Sequence, residues 1–162
     1  MIEKAAEFQA RRATIEDAPA LAALLRSIGW FTRIETEPET TTQQLVTQHL
    51  EAALADSSHS IYVAAQGDGR LIAYIAVHWL PYLFLSGLEG FVSELFVAES
   101  ARGSGVGKRL LQAVESEANE RGCSRLQLIN FRSRESYRRK FYEKAGWEER
   151  PDGASFVRPL SK

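Results

Sequence analysis

The sequence has one cysteine, Cys123, in 162 residues, so it can form no internal disulfide and build no cysteine-based zinc cluster. Cys123 follows Gly122 at an expected helix end and reads as a small buried residue. An excess of either charge is also lacking. Twenty Lys and Arg stand against twenty-one Asp and Glu, a net charge of -1, which leaves no basic field for a nucleic acid. No unbroken apolar run is long enough to cross a bilayer, and the opening MIEKAAEF has no signal-peptide core. The expectation is a cytoplasmic protein with neither a membrane nor a nucleic-acid partner. The three histidines, His49, His59 and His78, are too scattered to suggest a metal site. His49 and His59 read as surface residues. No repeat, low-complexity tract or linker divides the chain. What is present, 44% hydrophobic and 25% charged residues, suits a single domain over 1–162 with an ordinary core.

Periodicity orders the chain. FQARRAT reads as a strand, and Thr14 with Asp17 as a capping-box start to a helix. Ile15, Ala18, Leu21, Leu25 and Ile28 recur at helical spacing up to Gly29. WFTRIETEPE reads as irregular. A second helix is expected from about Thr41 to Ala55, with Val46, Leu50 and Leu54 on one face. SIYVAA and LIAYIAVHWL, separated by QGDGR, read as a β-hairpin, PYLFLSGLEG as a loop with an aromatic face, and FVSELFV as a third strong strand. Val106, Leu110, Val114 and Ala118 step by four toward Gly122 and mark an amphipathic helix. RLQLIN reads as a strand, RESYRRKFYEKAG as a helix and SFVRPL as a terminal strand. This alternation implies a mixed sheet covered by helices.

ARGSGVGKRLL, residues 101–111, has the look of a phosphate-binding turn. A Walker-type loop needs Gly, four residues, then Gly-Lys-Ser/Thr. Counting back from Lys108 puts Arg102 at the first glycine and Arg109 at the magnesium-binding hydroxyl, so phosphoryl transfer is excluded. A dinucleotide G-x-G-x-x-G fails as well: its third glycine falls on Lys108 or Leu110. What remains is Arg102-x-x-Gly105-x-Gly107 between a strand and a helix. Glycines there allow positive φ and close approach, N–H groups converge at a helix start, and Arg102 and Lys108 add charge. The expected ligand is an anion of pyrophosphate size.

FVSELFVAESARGSGVGKRLL resembles the cofactor motif of the GNAT superfamily of acyl-CoA-dependent N-acetyltransferases, a strand followed by Gln/Arg-x-x-Gly-x-Gly/Ala. ARRATIEDAPALAALL, FYEKAGWEE and FVRPL resemble that family's first strand and helix, late helix and turn, and closing strand. The resemblance implies an α/β (α+β) fold. It has a mixed, mostly antiparallel central sheet of about seven strands flanked by about four helices, with strands four and five splayed. It implies acetyl-CoA as cosubstrate and no metal. The pyrophosphate would lie on Arg102, Gly103, Ser104, Gly105, Val106, Gly107 and Lys108. The pantetheine arm would run along Leu95, Phe96 and Val97 as an added strand. A backbone N–H near Phe96 or Val97 would meet the developing oxyanion.

The resemblance places Tyr142 as the acid that protonates the departing thiolate and as part of the cofactor site. Glu94, read as a partly buried carboxylate, is the candidate base, and His78 on the neighbouring strand is the alternative. Many relatives carry a carboxylate one position before Glu94, where this chain has Ser93. Relatives also carry Asn and Ala where this chain has Glu135 and Arg138, so the usual asparagine contact to pantetheine is not expected. Arg132, Arg134, Arg138, Arg139 and Lys140 read as a solvated face balanced by Glu135 and Glu143.

The acceptor region implied by the resemblance supplies Trp30, Phe31, Trp79, Tyr82 and Phe84, with Glu35, Glu37 and Glu39 as an acidic rim, a set suited to a small cationic amine. The expected activity is transfer of the acetyl group from acetyl-CoA to a primary amine by direct attack. A non-catalytic acyl-CoA-binding or regulatory domain is the alternative. A homodimer paired through terminal strands is also expected from the relatives.

Overall fold

The computed structural model describes residues 7–160; MIEKAA, part of the stretch in which no signal core was found, lies outside them. After Gln127 the chain divides into two compact units.

The first unit is built on β1 (Phe8–Arg12), β2 (His59–Gln66), β3 (Leu71–Leu80) and β4 (Glu89–Val97). These pair antiparallel in chain order. β5 (Arg125–Leu128) completes a five-stranded sheet of order β1-β2-β3-β4-β5. The Ser124 N–H donates to the Leu88 carbonyl at 2.8 Å, and a side chain at Gly90 would strike Leu126. Both contacts lie at strand starts and advance together, so β5 runs parallel to β4. A parallel neighbour needs a crossover, and α4 (Val106–Glu120) is that crossover. The other helices are α1 (Ala18–Ser27), α2 (Thr32–Thr36) and α3 (Glu39–Leu54).

Strand periodicity sorts the two faces of the sheet. Val63 and Tyr74 join Leu21 and Leu24 of α1 and Leu50 of α3 in a buried cluster. Ser60, Tyr62 and Trp79, of opposite parity, face α4. There Glu117, 4% exposed, is the hub. Its carboxylate accepts hydrogen bonds from Ser60 Oγ at 2.8 Å, Tyr62 Oη at 2.9 Å and Arg121 Nε at 2.8 Å, and from the Arg12 guanidinium. Burial opposes the charge on Glu117, but these donors hold its carboxyl below the usual carboxylate range.

At the start of α1, Asp17 accepts from the Thr14 N–H at 2.8 Å and from both Arg11 nitrogens at 2.7 Å. The expected capping thus lies on a 3-10 turn, Ile15–Asp17, that precedes the helix. The stretch read as irregular contains α2.

In the second unit RESYRRKFYEKAG forms two short helices, α5 (Glu135–Arg138) and α6 (Phe141–Lys144). Lys140 separates them in a left-handed conformation, φ 55°. The like-charged Arg134–Arg138 spacing also weakens a continuous helix. Arg139 pairs with Glu135 at 3.4 Å and Lys140 with Glu143 at 3.5 Å, the balance expected for this face.

SFVRPL forms no strand. Phe156 and Val157 are adjacent rather than alternating, Pro159 lacks an N–H, and the apolar side chains lie exposed. The described residues therefore hold five strands and six α-helices, not about seven and four.

Glu117→Ala should destabilise the fold by about 2–3 kcal/mol, because four donors lose their acceptor. Because the folded-state pKa of Glu117 is depressed, its contribution is present above the unfolded carboxyl pKa. It fades as pH falls through the folded value. Urea unfolding of both proteins across the acidic range should show the difference shrinking.

Candidate active site

A cavity of about 700 Å³ lies between the sheet and helices α1 to α3, lined in part by Tyr74, Ala76, His78, Ser93, Glu94 and Phe96. Its wall on β4 depends on a β-bulge. Ala76 pairs with Glu94 and Val77 with Val92, so Ser93 is an extra residue with no partner on β3. An extra residue breaks the alternation of side chains, and Ser93 and Glu94 both face the cavity. The Tyr74 hydroxyl donates to Glu94 Oε2. Burial, with the Glu94 charge and this bond adding, pushes the Tyr74 phenol far above its ordinary value, so Tyr74 acts as a fixed donor. Glu94 itself is exposed. The partly buried carboxylate expected from sequence is instead an accessible one held by a buried tyrosine.

His78 Nε2 lies 2.9 Å from Ser93 Oγ. His59, expected at the surface, is half-buried and lines the cavity. It pairs with His78 across β2 and β3, and the two rings sit edge to face with centroids 4.3 Å apart. His49 stays exposed but also lines the cavity. The three scattered histidines thus share one chamber, although no group of three or more His, Cys, Asp or Glu among the described residues is placed to hold a metal. Burial lowers the pKa of His78, and His59 lowers it further. Glu94 opposes both. The imidazole is neutral at neutral pH and able to accept a proton.

Of the five aromatic residues expected at the acceptor, only Phe31 is among the lining residues of this cavity. Trp30 lies beside it, edge-on to Phe96 at 5.8 Å and beneath the Arg102 guanidinium. Trp79 is buried on the α4 face with its Nε1 donating to Ser60 Oγ at 3.0 Å. One residue of parity separates it from His78 and places it away from the cavity. Tyr82 is exposed on the β3–β4 loop against Phe84 and is not among the lining residues. The acidic rim is spent locally. Glu35 accepts from the Phe31 N–H at 3.0 Å and Glu37 from Arg33 at 3.1 Å. Glu39 opens α3. Arg33, Tyr74 and Thr42 line the cavity without having been singled out in the sequence.

Beyond β4 the chain turns through Arg102–Gly105 into α4. Gly103 and Gly105 have φ of 79° and 85°, the left-handed region that favours glycine. A Cβ at either would meet open space, so conformation is what requires glycine there. No side chain caps α4, whose first turn carries no acid. Arg102, Gly103, Ser104, Gly105 and Lys108 are exposed, whereas Val106 and Gly107 are buried. Such an uncapped start, preceded by exposed residues, can take an anion of pyrophosphate size. On β4, Leu95 and Val97 are half-buried. The register with β5 implies that Ser93–Val97 runs on past the four residues of that strand, which leaves backbone groups available for an extended ligand. In the second unit, Tyr142 packs edge-on against Phe141 and Trp147, with centroids 4.9 and 6.1 Å away. Burial pushes its phenol up to about 12.

The family model for the Acetyltransferase (GNAT) family matches residues 22–147. The chain belongs to the GNAT family. The aminoglycoside N(6')-acetyltransferase type 1 of Stenotrophomonas maltophilia is 31% identical over 120 residues, covering 72% of this chain and 71% of that protein. A ribosomal-protein-alanine N-acetyltransferase structure from Brucella melitensis biovar Abortus 2308 has a TM-score of 0.68 at 25% identity, over 95% of this chain and 100% of that one. A structure of a transcriptional regulator from Bacillus halodurans C-125 has a TM-score of 0.80 at 23% identity, over 93% and 99% of the two chains; this last likeness is one of fold. The GNAT chain is an acetyl-CoA-dependent N-acetyltransferase, and members of the family draw their acetyl group from that cosubstrate.

The imidazole of His78 should titrate below the ordinary histidine value by NMR. Glu94→Gln should lower its midpoint further, and His59→Asn should raise it, since the neighbours act in opposite directions.

Proposed function

We propose that this GNAT enzyme acetylates the primary amine of a small molecule by direct attack on acetyl-CoA, within one N-acetyltransferase domain. The observation that carries the reading is that Glu94 of β4 and His78 of β3 line one chamber, with β4 leading on into the glycine turn and α4. The small-molecule acceptor is supported by the aminoglycoside acetyltransferase named among the relatives.

The thioester supplies an activated acyl group; the chain supplies the rest. Glu94, fixed by Tyr74, attracts the ammonium form of the acceptor into the chamber. His78, neutral because it is partly buried beside His59, takes the ammonium proton, directly or through the Ser93 hydroxyl at 2.9 Å. The free amine is then the nucleophile. The backbone N–H of Val97, which by the alternation of the β3–β4 ladder points away from β3, provides a donor that needs no reorganisation as charge builds on oxygen. The backbone from Arg102 to Lys108, with the two cationic side chains, grips the pyrophosphate. Tyr142 is assigned from the family resemblance alone as the donor to the leaving thiolate. A phenol pushed up to about 12 stays protonated at neutral pH, so it is present as a donor while negative charge builds on sulfur, and the second proton of the attacking amine ends on the departing thiolate.

Gly105→Glu should weaken acetyl-CoA binding at least tenfold in calorimetry, through backbone strain and charge repulsion at the same point; unchanged affinity would remove the loop from the cosubstrate site. Tyr142→Phe should lower kcat by about 10²-fold, the lower end for a lost general acid, and leave acetyl-CoA affinity near that of the parent. Stopped assays of CoA-thiol release give both numbers, and a normal kcat would rule Tyr142 out as the acid.

A further inference from the structure

The chamber is poor in negative charge. Among the described residues that line it, Glu94 is the one carboxylate, whereas Arg33 and the three histidines bring positive or neutral nitrogen. Most of the remaining wall is apolar, with Leu25 from α1, Val46 and Leu50 from α3, Ile61 from β2 and Phe96 from β4. Phe31 and Tyr74 flank Phe96 with ring centroids 5.4 and 5.7 Å away, so one region of the chamber is aromatic. The nearby acids lie off the lining: Glu35 accepts from the Phe31 N–H, and Glu37 pairs with Arg33 through one oxygen while its other oxygen is buried without a partner.

We propose that the acceptor is a primary amine with a single positive charge on an apolar, aryl or branched-alkyl body, and that polycationic amines are disfavoured. The proposal rests on the acetyl-transfer reading above and narrows it to a substrate class. The reasoning is one of charge matching. An ammonium taken from water into an apolar chamber is strongly disfavoured unless a carboxylate meets it. Glu94 can meet one. A second or third ammonium would lie against leucine, valine or phenylalanine, or near Arg33, and would be repelled or left unpaired. An apolar body does the opposite: it gains from every lining side chain it covers. The chamber, at about 700 Å³, has room for such a body beyond the amine.

The test is a panel assayed on the intact protein with acetyl-CoA. 2-Phenylethylamine and 3-methylbutylamine represent the proposed class, and spermidine and kanamycin represent polycations. CoA-thiol release should give kcat/KM at least tenfold higher for the monoamines. Calorimetric titration of the same four compounds into the CoA-saturated protein should rank them in the same order. A polycation that matches or exceeds the monoamines in either measurement overturns the proposal, as does a failure of both monoamines to bind. If the monoamines bind in preference but nothing is acetylated, the assignment of the chamber's occupant stands and the catalytic reading is what fails. Ala52→Glu adds a carboxylate at an exposed lining position on α3, away from the residues assigned to chemistry. It should shift the kanamycin-to-phenylethylamine ratio of kcat/KM at least fivefold toward kanamycin; an unmoved ratio counts against charge as the selecting feature.

Discussion

One inserted residue in β4 sets the geometry on which the rest depends. A regular strand would turn Ser93 and Glu94 to opposite faces, and one would be lost to the α4 side of the sheet. The bulge at Ser93 directs both into the same chamber. His78 then has a hydroxyl within hydrogen-bond reach, and Tyr74 has a carboxylate to hold. The same irregularity comes just before the stretch of β4 that outruns β5, so the disturbed ladder and the available backbone lie next to each other along one strand.

A second shift in register produces the histidine pair. Near the hairpin turn Ala65 pairs with Leu71, and continuing that count outward would set His59 opposite Val77. The irregularity between Ala64 and Ala65 moves every later pair by one, and His59 meets His78 instead. Each bulge is a single-residue event, and both feed the same end of the chamber. The pairing also makes the neighbours of His78 mutually opposed, one imidazole against one carboxylate, so its protonation depends on both.

Much of this was legible in the sequence. β-Branched and aromatic runs located β2, β3 and β4, helical spacing located α1, α3 and α4, and the glycines of residues 103–107 marked the turn into α4. The failures share a cause: they depend on partners that a one-dimensional pattern does not report. Trp79 and His78 are adjacent in sequence and face opposite layers. SFVRPL has the composition of a strand but pairs with none among the described residues. The break at Lys140 is a single left-handed residue inside a good helical pattern. Glu94 looked buried because its strand is apolar, and Tyr74, the residue that holds it, lies twenty positions away.

The parity that sends Trp79 to one layer and His78 to the other has a consequence for how such a protein changes over time. Helix α4, its glycine turn and the Glu117 hub are tied to one face of the sheet. The lining of the chamber hangs from the opposite face, on α1, α2 and α3. Substitutions that resize or recharge the chamber need not pass through the layer that anchors α4. A lineage can therefore reshape the chamber one side chain at a time while the layer that holds α4 and its glycine turn is inherited intact.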